Sequence, residues 1–322
     1  MRVCSLLPSA TEILFALGLE DFLVAVTHEC DYPPRALDRP IASRAALELE
    51  PLSSRQIDQA VSQALRAGHE IYTLDEEVLR ELHPQLVLTQ ALCEVCAVTP
   101  RGLCRLDRLL DPPPRVVSLD PHSVEDILDN ILTVGALCGH PARARELVER
   151  LGERLEQVRL TSAGVDHRPV VAALEWLDPV YMAGHWVPGM IELAGGHDPF
   201  TGPGQKSRAV EWSLVLEREP EVVVLMACGC SLEKTLELAP EVTGRPGFAD
   251  LPAARQERVF AVDGSSFFNR PGPRILDGLE ILAHLLHPDR AEDPGHGWAR
   301  VGQVSGSVAS GGTSSSQENQ IG

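Results

Sequence analysis

The residues able to do chemistry collect at a few places in this chain. The densest is PVVAALEWLDPVYMAGHWVPGMIELAGG, Pro169–Gly196. An apolar, strand-like run leads into Glu175, Trp176, Asp178, Tyr181, His185 and Trp186, after which a short helical pattern begins. The chain holds four Trp and three Tyr, and Trp176, Tyr181 and Trp186 fall together here. Rings, a carboxylate and an imidazole at a strand-to-helix junction suit the wall of a ligand site. Glu175 and Asp178 could act as paired carboxylates, but so close together at a strand end they need not face one cavity.

Sulfur and imidazole supply a second possibility. Cys93-Glu94-Val95-Cys96 is a single CxxC, and His28 precedes Cys30 by two residues. Zinc or iron held by His28, Cys30, Cys93 and Cys96 would have to be assembled from distant segments, because no second pair follows at zinc-motif spacing. Cys228 and Cys230 are further candidates. The same thiols equally suit a structural role, a ligand wall or a redox pair. No nucleophile elbow, P-loop or GxGxxG after a strand is present, so no catalytic set stands out. Non-enzymatic binding is the expectation.

These residues need elements to hold them. Short apolar runs alternate with helical patterns, which predicts parallel α/β sheets. Strands are expected at Val3–Leu7, Leu23–Thr27, Glu70–Leu74, Gln85–Gln90 and Arg115–Leu119, then at Val170–Glu175, Glu221–Met226 and Val259–Val262. Helices are expected at Ser54–Ala67, Asp75–Leu82, Cys93–Leu110, Ser123–Leu137 and Arg274–Leu286. Between the halves a helix begins at Pro141 and runs to about Leu160, apolar at Ala144, Leu147, Leu151, Leu155 and Val158. It reads as a strut joining an N-terminal lobe (1–140) to a C-terminal lobe (165–290), with 141–164 as the connecting segment. Residues 291–322, ending in Gly, Ser and Gln, read as a disordered tail.

In parallel sheets ligands bind beyond the carboxyl ends of the strands. The unusual residues fall at those ends: His28, Cys30 and Tyr32; Cys93 and Cys96; Trp176 to Trp186; Cys228 and Cys230; Phe267, Phe268 and Arg270. Both halves contribute, which predicts a cleft between two lobes.

Composition narrows the partners. The 322 residues suit two domains, and 44% apolar with 23% charged residues is ordinary for a globular protein. A net charge of −18 argues against nucleic acid, and no apolar run is long enough to insert in a membrane. The opening MRVCSLLPSATEILFALGL is apolar, but Pro8, Thr11 and Glu12 interrupt it. It reads as strand, turn and helix rather than a leader, so a cytoplasmic location with reduced cysteines is expected.

SLLPSATEILFALGL, VTHECDYP, LHPQLVLTQ and the helix from Pro141 resemble the substrate-binding proteins of cobalamin and iron–siderophore importers. VTHECDYP, LTQALCEVCAV, EWLDPVYMAGHW and DGSSFFNRPGPR are similar to a subgroup labelled cobalamin-binding. The resemblance implies two α/β lobes bridged by a long helix, with a corrinoid-like or metal-chelate ligand between them. It implies packing of that ligand on Trp176, Tyr181, Trp186 and Phe268. Polar contacts would come from His28, Tyr32, Glu175, His185, Arg208 and Arg270. No tightly held cofactor is implied beyond the corrinoid or a zinc or iron ion. Transport members dock on an ABC permease through a glutamate on each lobe. Glu77 matches the first position; Ser213 stands at the second, with Glu211 two residues away. The absent signal and this substitution weaken the expectation of a permease. A cytosolic metal-dependent enzyme or metal-handling protein using the Cys/His set is the alternative.

Overall fold

The computed structural model describes residues 1–47, 49, 52–92, 98 and 103–302. Two six-stranded sheets form, one from each half of the chain. The N-lobe sheet contains β1 (Val3–Ser5), β2 (Leu23–Thr27), β3 (Ile41–Ala45), β4 (Tyr72–Leu74), β5 (Leu86–Thr89) and β6 (Arg115–Ser118), in the order β4-β3-β2-β1-β5-β6. β1 pairs in parallel with both β2 and β5, and Val3, Cys4 and Ser5 are wholly buried. The apolar start of the chain is thus an interior strand followed by the buried helix Pro8–Ala16.

The C-lobe sheet contains β7 (Val171–Leu177), β8 (Val180–Met182), β9 (Arg208–Ala209), β10 (Val222–Leu225), β11 (Val259–Val262) and β12 (Trp298–Arg300), in the order β12-β11-β10-β7-β8-β9. Its centre, β7, β10 and β11, is parallel. These are the continuous apolar runs that burial on both faces demands. The expectation of parallel sheets fails at the edges: β4, β8, β9 and β12 all pair antiparallel. The stretch after β7 is therefore a hairpin rather than a loop, with Trp176 opposite Tyr181 and Leu177 opposite Val180.

Two expected boundaries move. The C-lobe does not end at residue 290, because β12 pairs with β11 and Trp298 packs edge-on against Phe260 at 5.8 Å. The remainder of the expected tail, from residue 303, lies outside the described residues. Of the helix expected over Cys93–Leu110, the described part holds a single turn at Leu106–Leu109.

The connecting helix spans Pro141–Ser162. Ala144, Leu147, Leu151, Leu155 and Val158 are buried on one side, the spacing of a core-facing stripe. That stripe belongs to one apolar cluster holding both Ile127 and Ile131 from the N-lobe helix Val124–Leu137 and Leu279 and Leu282 from the C-lobe helix Ile275–Leu286. Arg154 adds ion pairs to Asp277 and Glu280 at 2.5 and 2.8 Å. The connector is packed into both lobes, so large changes of their angle would expose core. No helix among the described residues is long and apolar enough to cross a membrane.

Candidate functional site

Three sets of contacts join the lobes where the strands end. The first involves the β7–β8 hairpin and the start of helix Ser54–Arg66, which is fixed by a capping box between Ser53 and Gln56. Trp176 Nε1 donates to the Ser54 carbonyl at 3.2 Å, and Tyr181 OH donates to Asp58 at 3.1 Å. Arg55 grips Asp178 with both ends of its guanidinium, at 2.9 and 2.7 Å. Asp178 is also held by Arg245 at 3.0 Å. Ser54, Arg55 and Asp58 share one helical face, so a single turn of the N-lobe meets the whole hairpin.

The second set is an ion network. Glu12, on the helix Pro8–Ala16, is only 4% exposed. Arg274 binds it bidentately at 2.9 and 2.6 Å, and Arg270 approaches to 3.8 Å. Arg270 also holds Asp31 and donates to the Glu29 carbonyl at 3.1 Å. Tyr32 lies under Arg274, its ring centroid 3.9 Å from the guanidinium carbon. Burial would raise the Asp31 carboxyl, but the Arg270 guanidinium beside it holds it below its ordinary value.

The third set is a histidine pair. His122 follows β6 in the N-lobe and His185 follows β8 in the C-lobe, with ring centroids 6.4 Å apart. His122 Nδ1 is 3.3 Å from the Gly204 carbonyl oxygen. His185 has φ +55°, a left-handed conformation uncommon outside glycine. Its N–H donates to the Gln205 carbonyl and its carbonyl accepts from Gly204 N–H. Gly184 makes this possible: a Cβ there would stand 2.1 Å from Ser207 N. Burial, with His122 and Lys206 nearby, pushes the His185 imidazole below its ordinary pKa. Its Nδ1 is buried with no hydrogen-bond partner among the described residues.

The expected site residues divide. Trp176, Tyr181, His185, Tyr32 and Arg270 lie on the contacts between the lobes. His28 sits at the end of β2, its Nδ1 3.2 Å from both Thr27 Oγ1 and the Ser43 carbonyl. Glu175 turns inward, with Gly184 N–H donating at 3.4 Å. Burial pushes its carboxyl up despite that bond and one from Ser207. Trp186 and Phe268 are core rather than cleft: they are 6% and 0% exposed, and the indole N–H donates to the Phe268 carbonyl at 2.8 Å. Arg208 serves its own lobe, donating to the Phe200 carbonyl at 2.6 and 3.1 Å.

The expected metal set is not assembled by the residues described. Cys30 is 2% exposed, its sulfur 3.0 Å from Thr11 Oγ1. Burial pushes its thiol up to about 12. No group of three His, Cys, Asp or Glu able to hold an ion occurs among the described residues. Cys93 and Cys96 lie outside them. Glu77 and Glu211 are exposed, one at the start of helix Glu76–Leu82 and one just before helix Trp212–Glu217. Sequence reasoning missed His122, although it follows a strand end by the rule that found the others. It also missed Arg55 and Asp58, which look like an ordinary solvated helix face.

A family model described as periplasmic binding protein matches residues 3–265. The chain belongs to that family. A vitamin B12-binding protein of Vibrio cholerae is 25% identical over 294 residues, 88% of each chain. An uncharacterized ABC transporter substrate-binding lipoprotein of Bacillus subtilis is 23% identical over 89% of this chain and 80% of its own. Among solved structures, the periplasmic vitamin B12 binding protein of V. cholerae superposes with a TM-score of 0.66 at 24% identity, covering 89% of this chain and 96% of that one. A periplasmic heme-binding protein in complex with two hemes gives 0.66 at 21% identity, covering 90% and 99%. The two α/β lobes and their long connector are the architecture these proteins share.

Proposed function

We propose that this protein binds a corrinoid-like or related metal-chelate small molecule between its lobes. The observation that carries the reading is the convergence of strand ends from both lobes on one seam, where Trp176 and Tyr181 present rings that the opposite lobe already engages through polar atoms. An apolar ring face with a polar edge is what a large, amide- or carboxylate-fringed macrocycle would meet. Family membership and relatives named for vitamin B12 and heme support the same ligand class. Glu77 and Glu211, exposed on separate lobes, are assigned as the face a permease would meet in an importer.

Titration with cyanocobalamin, cobinamide and hemin tests the reading through Trp fluorescence. Saturable quenching by at least one of them, lost in Trp176→Ala, is expected. No saturable signal from any of the three overturns the proposal.

A further inference from the structure

Strand β10 runs straight into Met226-Ala227-Cys228-Gly229-Cys230, two thiols with one glycine between them. We propose that Cys228 and Cys230 form a reversible thiol–disulfide site, in which Cys228 attacks a small-molecule disulfide and Cys230 resolves the adduct. The chemistry does not depend on which molecule the lobes hold.

The backbone sets the distance. Two residues of extended chain span about 7 Å, and cysteines that far apart are not bridged without backbone movement. Here Cys230 N–H donates to the Ala227 carbonyl at 3.1 Å, which closes a turn with Cys228 and Gly229 at its centre. Gly229 has φ +72°, the conformation that a type II turn requires at its second central position. Such a turn brings the Cα atoms of Cys228 and Cys230 to roughly 5.5 Å, within the range that disulfides occupy. Both of its sides are anchored. Cys228 N–H donates to the Glu175 carbonyl at 2.9 Å, and the Cys230 carbonyl accepts from Ser265 N–H at 3.1 Å. A Cβ added to Gly229 would meet nothing within 4 Å, so there is open space beside the turn for a reagent.

The two thiols are not equivalent. Cys228 is exposed, whereas Cys230 is half-buried and packs beside the apolar cluster of the C-lobe. Burial pushes the Cys230 thiol up, against the pull of Lys234, so the first attack falls to Cys228. Its thiolate attacks one sulfur of a disulfide RSSR. The Cys228–S–S–R bond forms, and RS⁻ leaves and takes a proton from solvent. Cys230 then loses its proton to solvent and attacks the Cys228 sulfur. The Cys228–Cys230 bond forms, and the second RS⁻ leaves and is protonated. Two electrons pass from the pair to RSSR, giving one protein disulfide and two RSH. Excess dithiol reverses both steps. Cys4, Cys30 and Cys138 are buried and out of such a reagent's reach.

The experiment exposes the reduced full-length protein to mixtures of glutathione disulfide and glutathione, folded and in urea. Thiols are trapped with N-ethylmaleimide and the chain is cut with trypsin. The fragment 219–234, between Arg218 and Lys234, carries these two cysteines and no others. An internal disulfide therefore lowers its mass by two hydrogens. At a fixed glutathione ratio, the folded protein is expected to show a disulfide-to-dithiol ratio in this fragment at least fivefold above that in urea. Cys230→Ser should stop with glutathione on Cys228, and Cys228→Ser should react at least tenfold more slowly. Circular dichroism verifies that both variants fold. A folded fragment that stays a dithiol, a ratio no higher than in urea, or a bridge from Cys228 to any other cysteine overturns the site. Equal rates in the two variants overturn the assigned roles.

Discussion

Replacing Glu12 with alanine should be among the most damaging single changes outside the apolar core. The carboxylate is buried, both of its oxygens are taken by Arg274, and Arg270 stands 3.8 Å away. Glu12→Ala leaves those guanidiniums beside an apolar hole. Arg270 keeps Asp31, and Arg274 keeps only the rings of Tyr32 and Phe267, so the orphaned charge is mainly that of Arg274. Removing one partner of a buried pair costs about 3–5 kcal/mol. The remaining contacts place the expected loss at the lower end, about 3 kcal/mol. Burial pushes the Glu12 carboxyl up against the pull of Arg274, so the pair is held at a desolvation cost. Deleting both members should then be milder than deleting either alone. Glu12→Leu/Arg274→Met should recover at least about 2 kcal/mol relative to the sum of the single changes. Urea unfolding followed by Trp fluorescence and far-UV circular dichroism measures this, with coincident curves required for two-state treatment. A Glu12→Ala loss below about 1 kcal/mol, or strictly additive effects, would refute the reasoning, because the pair would then be neither buried nor coupled in the way described.

Three further outcomes follow from the same structure. Burial pushes the Asp198 carboxyl up to about 6 from an ordinary 3.8; the folded state holds the proton more tightly, so this contribution is complete below pH 3.8 and lost as pH rises through 6. Asp198→Asn keeps the acceptor for the Phe200 and Thr201 N–H groups, and should match the wild type near pH 4 but be more stable at pH 8, by on the order of 2 kcal/mol, as read by urea unfolding at both pH values. Arg55→Ala removes the ion pair that closes the seam on Asp178, and should tighten cobinamide or hemin binding a few-fold at low salt without changing the melting temperature; raising the salt should do the same to the wild type and nothing to the variant. Gly184→Ala drives a methyl group into the backbone at Ser207, which should cost about 1–3 kcal/mol and weaken hemin binding through displacement of His185.

Burial on both faces writes itself as an unbroken apolar run, which is why β1, β2, β5, β10 and β11 could be read from residue types alone. The connector was equally legible, since Leu147, Leu151 and Leu155 recur at helical spacing. Short or polar strands carry less information. β3 is Ile-Ala-Ser-Arg-Ala, and β8 and β9 have three and two residues, too few for a period to emerge. For the site, the strand-end rule located the right loops but not the direction of each side chain. Trp176 and Trp186 belong to the same segment and the same residue type, yet one meets the opposite lobe while the other is core. Arg270 has the look of a free ligand contact in sequence, but its partners Asp31 and Glu12 lie at the far end of the chain and become neighbours only when the lobes join.

The contacts across the seam also constrain what can replace them. A ligand that parts the hairpin from helix Ser54–Arg66 frees the Trp176 N–H, the Tyr181 hydroxyl and the Arg55 guanidinium from their present acceptors. A purely hydrocarbon occupant would cover these groups without satisfying them, at a cost of about 1–3 kcal/mol for each one buried. The rings of Trp176 and Tyr181 favour an apolar face, while their polar tips demand acceptors at its margin. A flat macrocycle fringed with carboxylates or carboxamides meets both requirements, whereas a lipid chain meets only the first and a free ion only the second. The side chains that hold the lobes together thereby select for a molecule that is apolar in its plane and polar at its edge.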